Sequence, residues 1–225
     1  MGRFSADSIR LTLYLGVSLF IALDLREYAR AVAATRLHDP TPRLWGRLGL
    51  RPKGWFEPFG SGLLPGLILL LWAAAAVYPP MIAYAKPAPI DPSYFRRYKR
   101  DSVVVGLAGP ASNVAVAVAA GILLRAGLSG EVARALGAFA FANLCMAFFH
   151  LLPIPGLDGA RLVGLVLPPR AAEMYRNADA YLPLFVLLVI FFLATPVNSI
   201  VYGLTNAVCH ASSGSSCFSW MWFGL

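Results

Sequence analysis

Four charged side chains, Asp24, Arg26, Glu27 and Arg30, fall within seven positions of an otherwise apolar stretch near the start of the chain. No other feature restricts the fold as strongly. A charge held near the centre of a bilayer costs roughly 2.5–3.5 kcal/mol on insertion scales, so an apolar helix cannot leave these groups facing lipid. Residues four apart share a helix face, which puts Arg26 and Arg30 one turn apart with Glu27 between them. Two placements satisfy that pattern. The charges face a protein interior and pair there, or the arginines snorkel to an interface or a watery cavity.

Composition sets the class. Of 225 residues 58% are hydrophobic and 13% charged, with a mean hydropathy of +0.65. A soluble domain carries about 25% charged residues. The expectation is an all-α polytopic membrane protein of about five transmembrane or re-entrant helices with short membrane-associated β-strand segments. Residues 1–207 form one integral membrane domain and 208–225 a Ser/aromatic tail. The net charge of +8 fits loop cations that meet anionic lipid headgroups and follow the positive-inside bias. No aromatic-interleaved basic surface points to nucleic acid. Arg3 and Arg10 precede an apolar run that no small-residue cleavage site closes, the pattern of a retained helix rather than a signal peptide.

Residues 11–34 are long enough for a crossing. Residues 35–60 are rich in breakers, and the alternation around Arg47 to Arg51 predicts a brief strand or hairpin arm. Residues 61–84 are apolar but interrupted by Gly62, Pro65, Gly66, Pro79 and Pro80, which fits either a full span or a re-entrant one. The prolines of 86–92 favour extended backbone, and Tyr94 to Arg100 reads as a basic, aromatic interfacial anchor. A helix over 102–125 carries small residues and Asn113. Another over 132–152 carries Asn143 and His150, and breaks at Leu152-Pro153-Ile154-Pro155-Gly156-Leu157-Asp158-Gly159. A last helix over 181–207 has Pro183 in its first turn and a kink at Pro196. Segments 35–60 and 86–100 are both basic, yet a full crossing between them would separate them, so orientation stays open. Cys145 reads as a core residue. Cys209 and Cys217 flank a serine-rich turn and suit a short disulfide in an oxidising compartment. A metal clip with His210 lacks a fourth ligand.

Taken together the motifs resemble the site-2 protease family of intramembrane zinc metalloproteases, in particular its compact prokaryotic members. That family carries His-Glu-x-x-His in an early helix, where this chain has Arg26-Glu27-Tyr28-Ala29-Arg30. His38-Asp39-Pro40-Thr41-Pro42, Gly46-Arg47-Leu48-Gly49-Leu50-Arg51-Pro52 and Glu57-Pro58-Phe59-Gly60 resemble its Gly-Asp-Pro-Thr-Ala, Gly-Arg-Leu-Thr-Leu-Asn-Pro and Asp-Pro-Phe-Gly. Ala85 to Ile90, Ala108 to Asn113 and His150 to Gly159 resemble its Ala-Lys-Pro-Val-Pro-Val, Ala-Gly-Pro-x-Ser-Asn and Asn-Leu-Leu-Pro-Ile-Pro-Pro-Leu-Asp-Gly. The likeness runs in order from about residue 10 to 170. It implies a prokaryotic plasma-membrane protein whose relatives bind zinc through two histidines and the aspartate of Leu-Asp-Gly, with the glutamate activating the metal-bound water.

The departures fall on that chemistry. Glu27 and Asp158 are present, but both histidine positions are arginine, which stays protonated and offers a metal no lone pair. His150 stands where the family has asparagine. Arg26, Glu27, Arg30, His150 and Asp158 are then vestigial positions with no catalytic role and no cofactor. Two guanidiniums carry the charge of one Zn²⁺ and suit bidentate carboxylate pairing, so Arg26, Arg30, Glu27 and Asp158 are expected to form a structural ion cluster, with Asp24 sharing one arginine. Three functions compete. The first is a catalytically inactive scaffold, regulatory or accessory subunit that binds transmembrane segments of other integral membrane proteins in a complex. The second is an active metalloprotease with zinc on rewired ligands, His150, Asp158 and His38, although His38 lies about 12 Å along a continuing helix from Arg30. The third is lipid or small-molecule binding in the former active-site cavity. The tail from Phe218 to Phe223 either anchors at the interface or docks on a partner.

Overall fold

The computed structural model describes residues 6–75 and 81–224. Arg3, Pro79 and Pro80 lie outside the described residues. Helix α1 (Ala6–Arg36) is longer than the predicted span at both ends. Its lipid-facing side carries Leu13, Val17, Phe20 and Ile21, all exposed, while Leu11, Leu15, Leu19 and Leu23 repeat every four residues and are buried. Asp7 lies in the first turn and Arg36 in the last, each complementing the helix dipole. The end of α1 is a Schellman motif. His38 takes a positive φ of 77°, the Asp39 N–H donates to Ala34 O at 3.1 Å, and the His38 N–H donates to Thr35 O at 3.2 Å.

Two short helices follow, α2 (Thr41–Leu44) and α3 (Pro52–Trp55). Among the described residues there is no strand, so the β-segments expected around Arg47 to Arg51 are not present. A strand needs a ladder partner, and the one long extended stretch nearby spends its donors elsewhere. From residue 81 the chain returns beside the π-helical turn Pro58–Leu63 and α4 (Leu64–Ala75). The Tyr84 N–H donates to Gly60 O, Lys86 N–H to Trp55 O, Ala88 N–H to Glu27 and Asp91 N–H to Asp39. These are four unrelated acceptors and not a ladder. Residues 57 and 91 both lie at the C-terminal end of α1, so the two basic stretches share one end of the molecule; the expectation of a full or re-entrant span over 61–84 takes in residues 76–80, outside the described residues.

Helices α5 (Tyr98–Arg125) and α6 (Gly130–His150) complete the central bundle with α1. Helix α6 is the most enclosed, with Phe141, Leu144, Met146 and Phe149 each at 1% exposure or less. Helices α1 and α5 approach closely because residue 109 is glycine. A Cβ there would lie 2.7 Å from Arg26 Cγ and 3.3 Å from Arg26 O. Beyond a loop come α7 (Asp158–Val166) and α8 (Pro169–Asn177). The expected last helix is two, α9 (Leu182–Phe192) and α10 (Ala194–Ser213), broken at Leu193. Pro196 has no N–H and disfavours a helical turn immediately before it, which puts the break there. Four helical segments, 6–36, 98–125, 130–150 and 170–192, are long and apolar enough to cross a membrane, and 58–73 is a shorter apolar helix.

The C-terminal stretch is part of the core and not a free tail. Helix α10 runs to Ser213, Gly214 caps it with φ 82°, and α11 (Cys217–Phe223) folds back. Phe218 packs among Trp72, Phe141 and Tyr202, and Trp220 and Met221 are buried. Only Phe223 of the aromatic run is strongly exposed, at 71%. A Cys209–Cys217 disulfide holds the turn, with Cα atoms 5.5 Å apart. Cys145 is free and buried. The N-terminal ends of α1 and α6 meet α11 at this same end, through Tyr14–Glu131, Asp7–Arg134 and the Gly130 N–H on Gly224 O.

Candidate functional site

The last third of α1 turns Arg26, Glu27 and Arg30 inward, at 3%, 1% and 2% exposure. Asp158, the first residue of α7, meets them from the loop after α6 and is 1% exposed. Arg26 pairs with Glu27 through Nη1 and with Asp158 through Nη2, the latter at 2.7 Å. Arg30 Nη1 donates to both Glu27 oxygens at 3.0 and 3.1 Å, and its Nε lies 3.4 Å from Asp158 Oδ1. Each carboxylate therefore faces both guanidiniums, and two positive charges balance two negative ones. Burial alone would raise the Asp158 pKa, but Arg26 and Arg30 outweigh it and hold the carboxyl below its ordinary value.

Besides the two arginines Glu27 accepts the Ala88 N–H at 2.8 Å, so both of its oxygens are held by fixed donors. Asp24 stands apart. It is two residues from Arg26, about 200° round the helix, is only partly buried, and makes no ion pair among the described residues. The expectation that it shares an arginine is corrected by that geometry.

His150 ends α6 fully buried. Its Nδ1 donates to Met146 O at 2.8 Å, while Nε2 has no hydrogen-bond partner. His38 is exposed, capping α1 two turns beyond Arg30. The backbone geometry that closes the helix also turns this residue out of the site, so His38 does not join His150 and Asp158. Among the described residues no three His, Cys, Asp or Glu side chains are arranged to hold a metal ion.

Arg26, Glu27, Arg30 and His150 line a cavity of about 270 Å³ together with Glu57, Tyr84, Arg161, Asp179 and Leu182. Sequence reasoning missed Arg161, Glu57 and Asp179. Arg161 had a local signal, since Asp158-x-x-Arg161 shares a helix face, whereas the other two arrive only through the tertiary fold. Asp179 accepts the Gly156 N–H at 2.7 Å, and Glu57 accepts the Gly60 N–H. Arg26 Nε and Arg30 Nη2 are buried without an acceptor among the described residues. Such a lining does not fit zinc. The positions beside Glu27 present cationic N–H donors where a tetrahedral site needs lone pairs from imidazole, thiolate or carboxylate, and no step through a metal follows from it.

Comparison with known proteins gives relatives along nearly the whole chain. "Putative zinc metalloprotease YwhC" of Bacillus subtilis is 30% identical over 218 residues, covering 92% of both chains. Rip2 of Mycobacterium tuberculosis, named the same way, is 29% identical over 191 residues, 82% of this chain and 68% of that one. MJ0611 of Methanocaldococcus jannaschii, also so named, is 32% identical over 112 residues, about half of each chain. No family profile and no solved structure matches the chain. The match to YwhC end to end, on a helical membrane fold with Glu27 and Asp158 facing one another, places this chain in the site-2 protease family.

Proposed function

We propose that this chain is a non-catalytic member of its family, a scaffold or regulatory subunit of a membrane complex that binds transmembrane segments of other proteins. The observation that carries the reading is the four-charge cluster. The two carboxylates that would serve a metal and its water are both neutralised by Arg26 and Arg30, and function follows the site rather than the fold. What remains for use is a bundle with lipid-exposed apolar faces on α1, α5 and α9, on which partner helices can pack.

The protein resides in a prokaryotic plasma membrane with the C-terminal end of α1 in the cytoplasm. Residues 36–57 and 86–100 carry ten lysines and arginines at that end, as the positive-inside bias requires, and the disulfide lies at the opposite end, where an oxidising compartment sustains it.

Purification from native membranes tests this. The expected result is substoichiometric zinc, no cleavage of a transmembrane peptide, and one or more copurifying membrane proteins captured by crosslinking. One tightly bound zinc per chain that disappears in His150→Ala, with peptide cleavage, would replace the reading by that of a working protease.

A further inference from the structure

The loop between α1 and α4 lines a second cavity, of about 360 Å³, next to the one that holds the ion cluster but lined by different side chains. Arg47, Arg51, Lys53 and Lys86 line it, and no carboxylate does. The nearest acids in the sequence are already engaged. Asp39 accepts the Thr41 and Asp91 N–H groups, each at 2.9 Å, and Glu57 accepts that of Gly60. None of the four cations makes an ion pair among the described residues. Self-repulsion of this kind in a folded pocket calls for an external anion.

Arg47 gives the cavity a fixed wall. Its guanidinium carbon lies 4.9 Å from the centroid of the Trp55 ring, a cation–π contact. Trp55 is itself 1% exposed and donates from Nε1 to Gly49 O at 3.1 Å. Arg47 Nη1 is shut away from solvent and has no acceptor among the described residues. A buried N–H left unpaired is costly, so the Arg47 guanidinium brings to the cavity wall a charge that the described residues do not compensate.

The surroundings identify the source of the anion. Trp45 and Phe56, which line the cavity, are 70% and 44% exposed, and Leu44 and Leu50, adjacent in sequence to lining residues, are 78% and 59% exposed. Phe56 stacks on Phe20, centroids 6.5 Å apart and rings 2° from parallel, and Phe20 belongs to the lipid-facing side of α1. The cationic cavity thus opens directly onto surface that meets acyl chains. We propose that it is a binding site for one anionic phospholipid, the phosphate seated among Arg47, Arg51, Lys53 and Lys86 and an acyl chain lying over Phe56 and Phe20. The site is independent of whether the protein is a protease.

The test uses the full chain in a neutral detergent, titrated with short-chain phosphatidylglycerol, phosphatidylcholine of the same chain length, or inorganic phosphate, with bound lipid counted by native mass spectrometry. Phosphatidylglycerol is expected to bind saturably at one per chain, more tightly than either other probe. Arg51→Gln with Lys53→Gln, both exposed, is expected to weaken it about fivefold per charge, roughly 25-fold together. Arg96→Gln with Arg97→Gln removes the same charge outside the cavity and is expected to leave binding unchanged. An equal loss in that control would show diffuse attraction and overturn the site. Equal binding of phosphatidylcholine would overturn the anion preference, and full competition by inorganic phosphate would overturn the lipid assignment. These three wild-type titrations decide the matter even if the double variant fails to fold.

Discussion

Removing Asp158 alone is expected to damage the protein more than removing Asp158 together with one arginine. Asp158→Ala leaves two guanidiniums against Glu27, a net charge of +1 on side chains that are all 3% exposed or less. Two close contacts end, Arg26 Nη2 at 2.7 Å and Arg30 Nε at 3.4 Å. At an effective dielectric of about 20, each unit pair some 4 Å apart is worth about 4 kcal/mol. Regained carboxylate hydration and relief of its repulsion with Glu27 offset much of that, leaving the ~3–5 kcal/mol usual for a broken buried pair. Asp158→Ala with Arg26→Leu restores neutrality and keeps the two Arg30–Glu27 hydrogen bonds, so it costs less than the single change. The free energies are read by dodecyl sulfate titration in mixed micelles, following tryptophan fluorescence, with Arg26→Leu alone completing the cycle. A single-mutant cost under about 1 kcal/mol, within the range of ordinary surface changes, or a double-mutant cost equal to the sum of the singles, would refute a charge-balanced cluster.

Three further outcomes are expected. Arg26→His with Arg30→His deletes both fixed charges and restores a histidine pair beside Glu27. It should unfold readily without zinc and gain stability as zinc is added, whereas a zinc-independent melting temperature would contradict the reading. Gly109→Ala forces a Cβ to within 2.7 Å of Arg26 Cγ, so it should cost about 1–3 kcal/mol by overpacking, measured in the same micelle titration. Cys209→Ser with Cys217→Ser opens a short loop and should cost about 2–3 kcal/mol. Thiol counting on the denatured, unreduced wild type should find one free group, that of Cys145.

Much of the bundle is written in the chain because apolar length and breakers are local signals. The ends of α5 and α6 fall within four residues of where the hydropathy and the Pro153–Gly159 run put them. Other features depend on contacts that no local pattern carries. His38 closes α1 where glycine usually does; the glycine of the resembling Gly-Asp-Pro-Thr-Ala motif and the following Pro40 point to that conformation, but the histidine itself does not. Arg47 to Arg51 alternate as a strand would, but alternation specifies a face and not a partner. The aromatic run from Phe218 reads as interfacial until the disulfide turn folds it onto Trp72 and Phe141. In the site, the helix spacing of Arg26, Glu27 and Arg30 is readable, as is the exclusion of Asp24 once angles around the helix are counted. The Ala88 N–H on Glu27 arrives from 61 residues away and leaves no trace in the sequence.

Two carboxylates buried together need two positive charges, or one of them takes up a proton. A divalent ion between them would supply that charge reversibly, since metal binding depends on pH and on free metal. Arg26 and Arg30 supply it covalently. Their guanidiniums remain charged at any physiological pH and cannot dissociate, so the contact between α1 and α7 is permanent wherever the chain folds. Glu27 is held by three donors, which on the proposed reading restricts it, since a general base must hold a lone pair within reach of a proton. A site of this kind loses the capacity to switch and gains a fixed geometry that depends on no cofactor supply. On the non-catalytic role proposed above, that exchange suits a membrane scaffold, because its surface would not vary with metal availability.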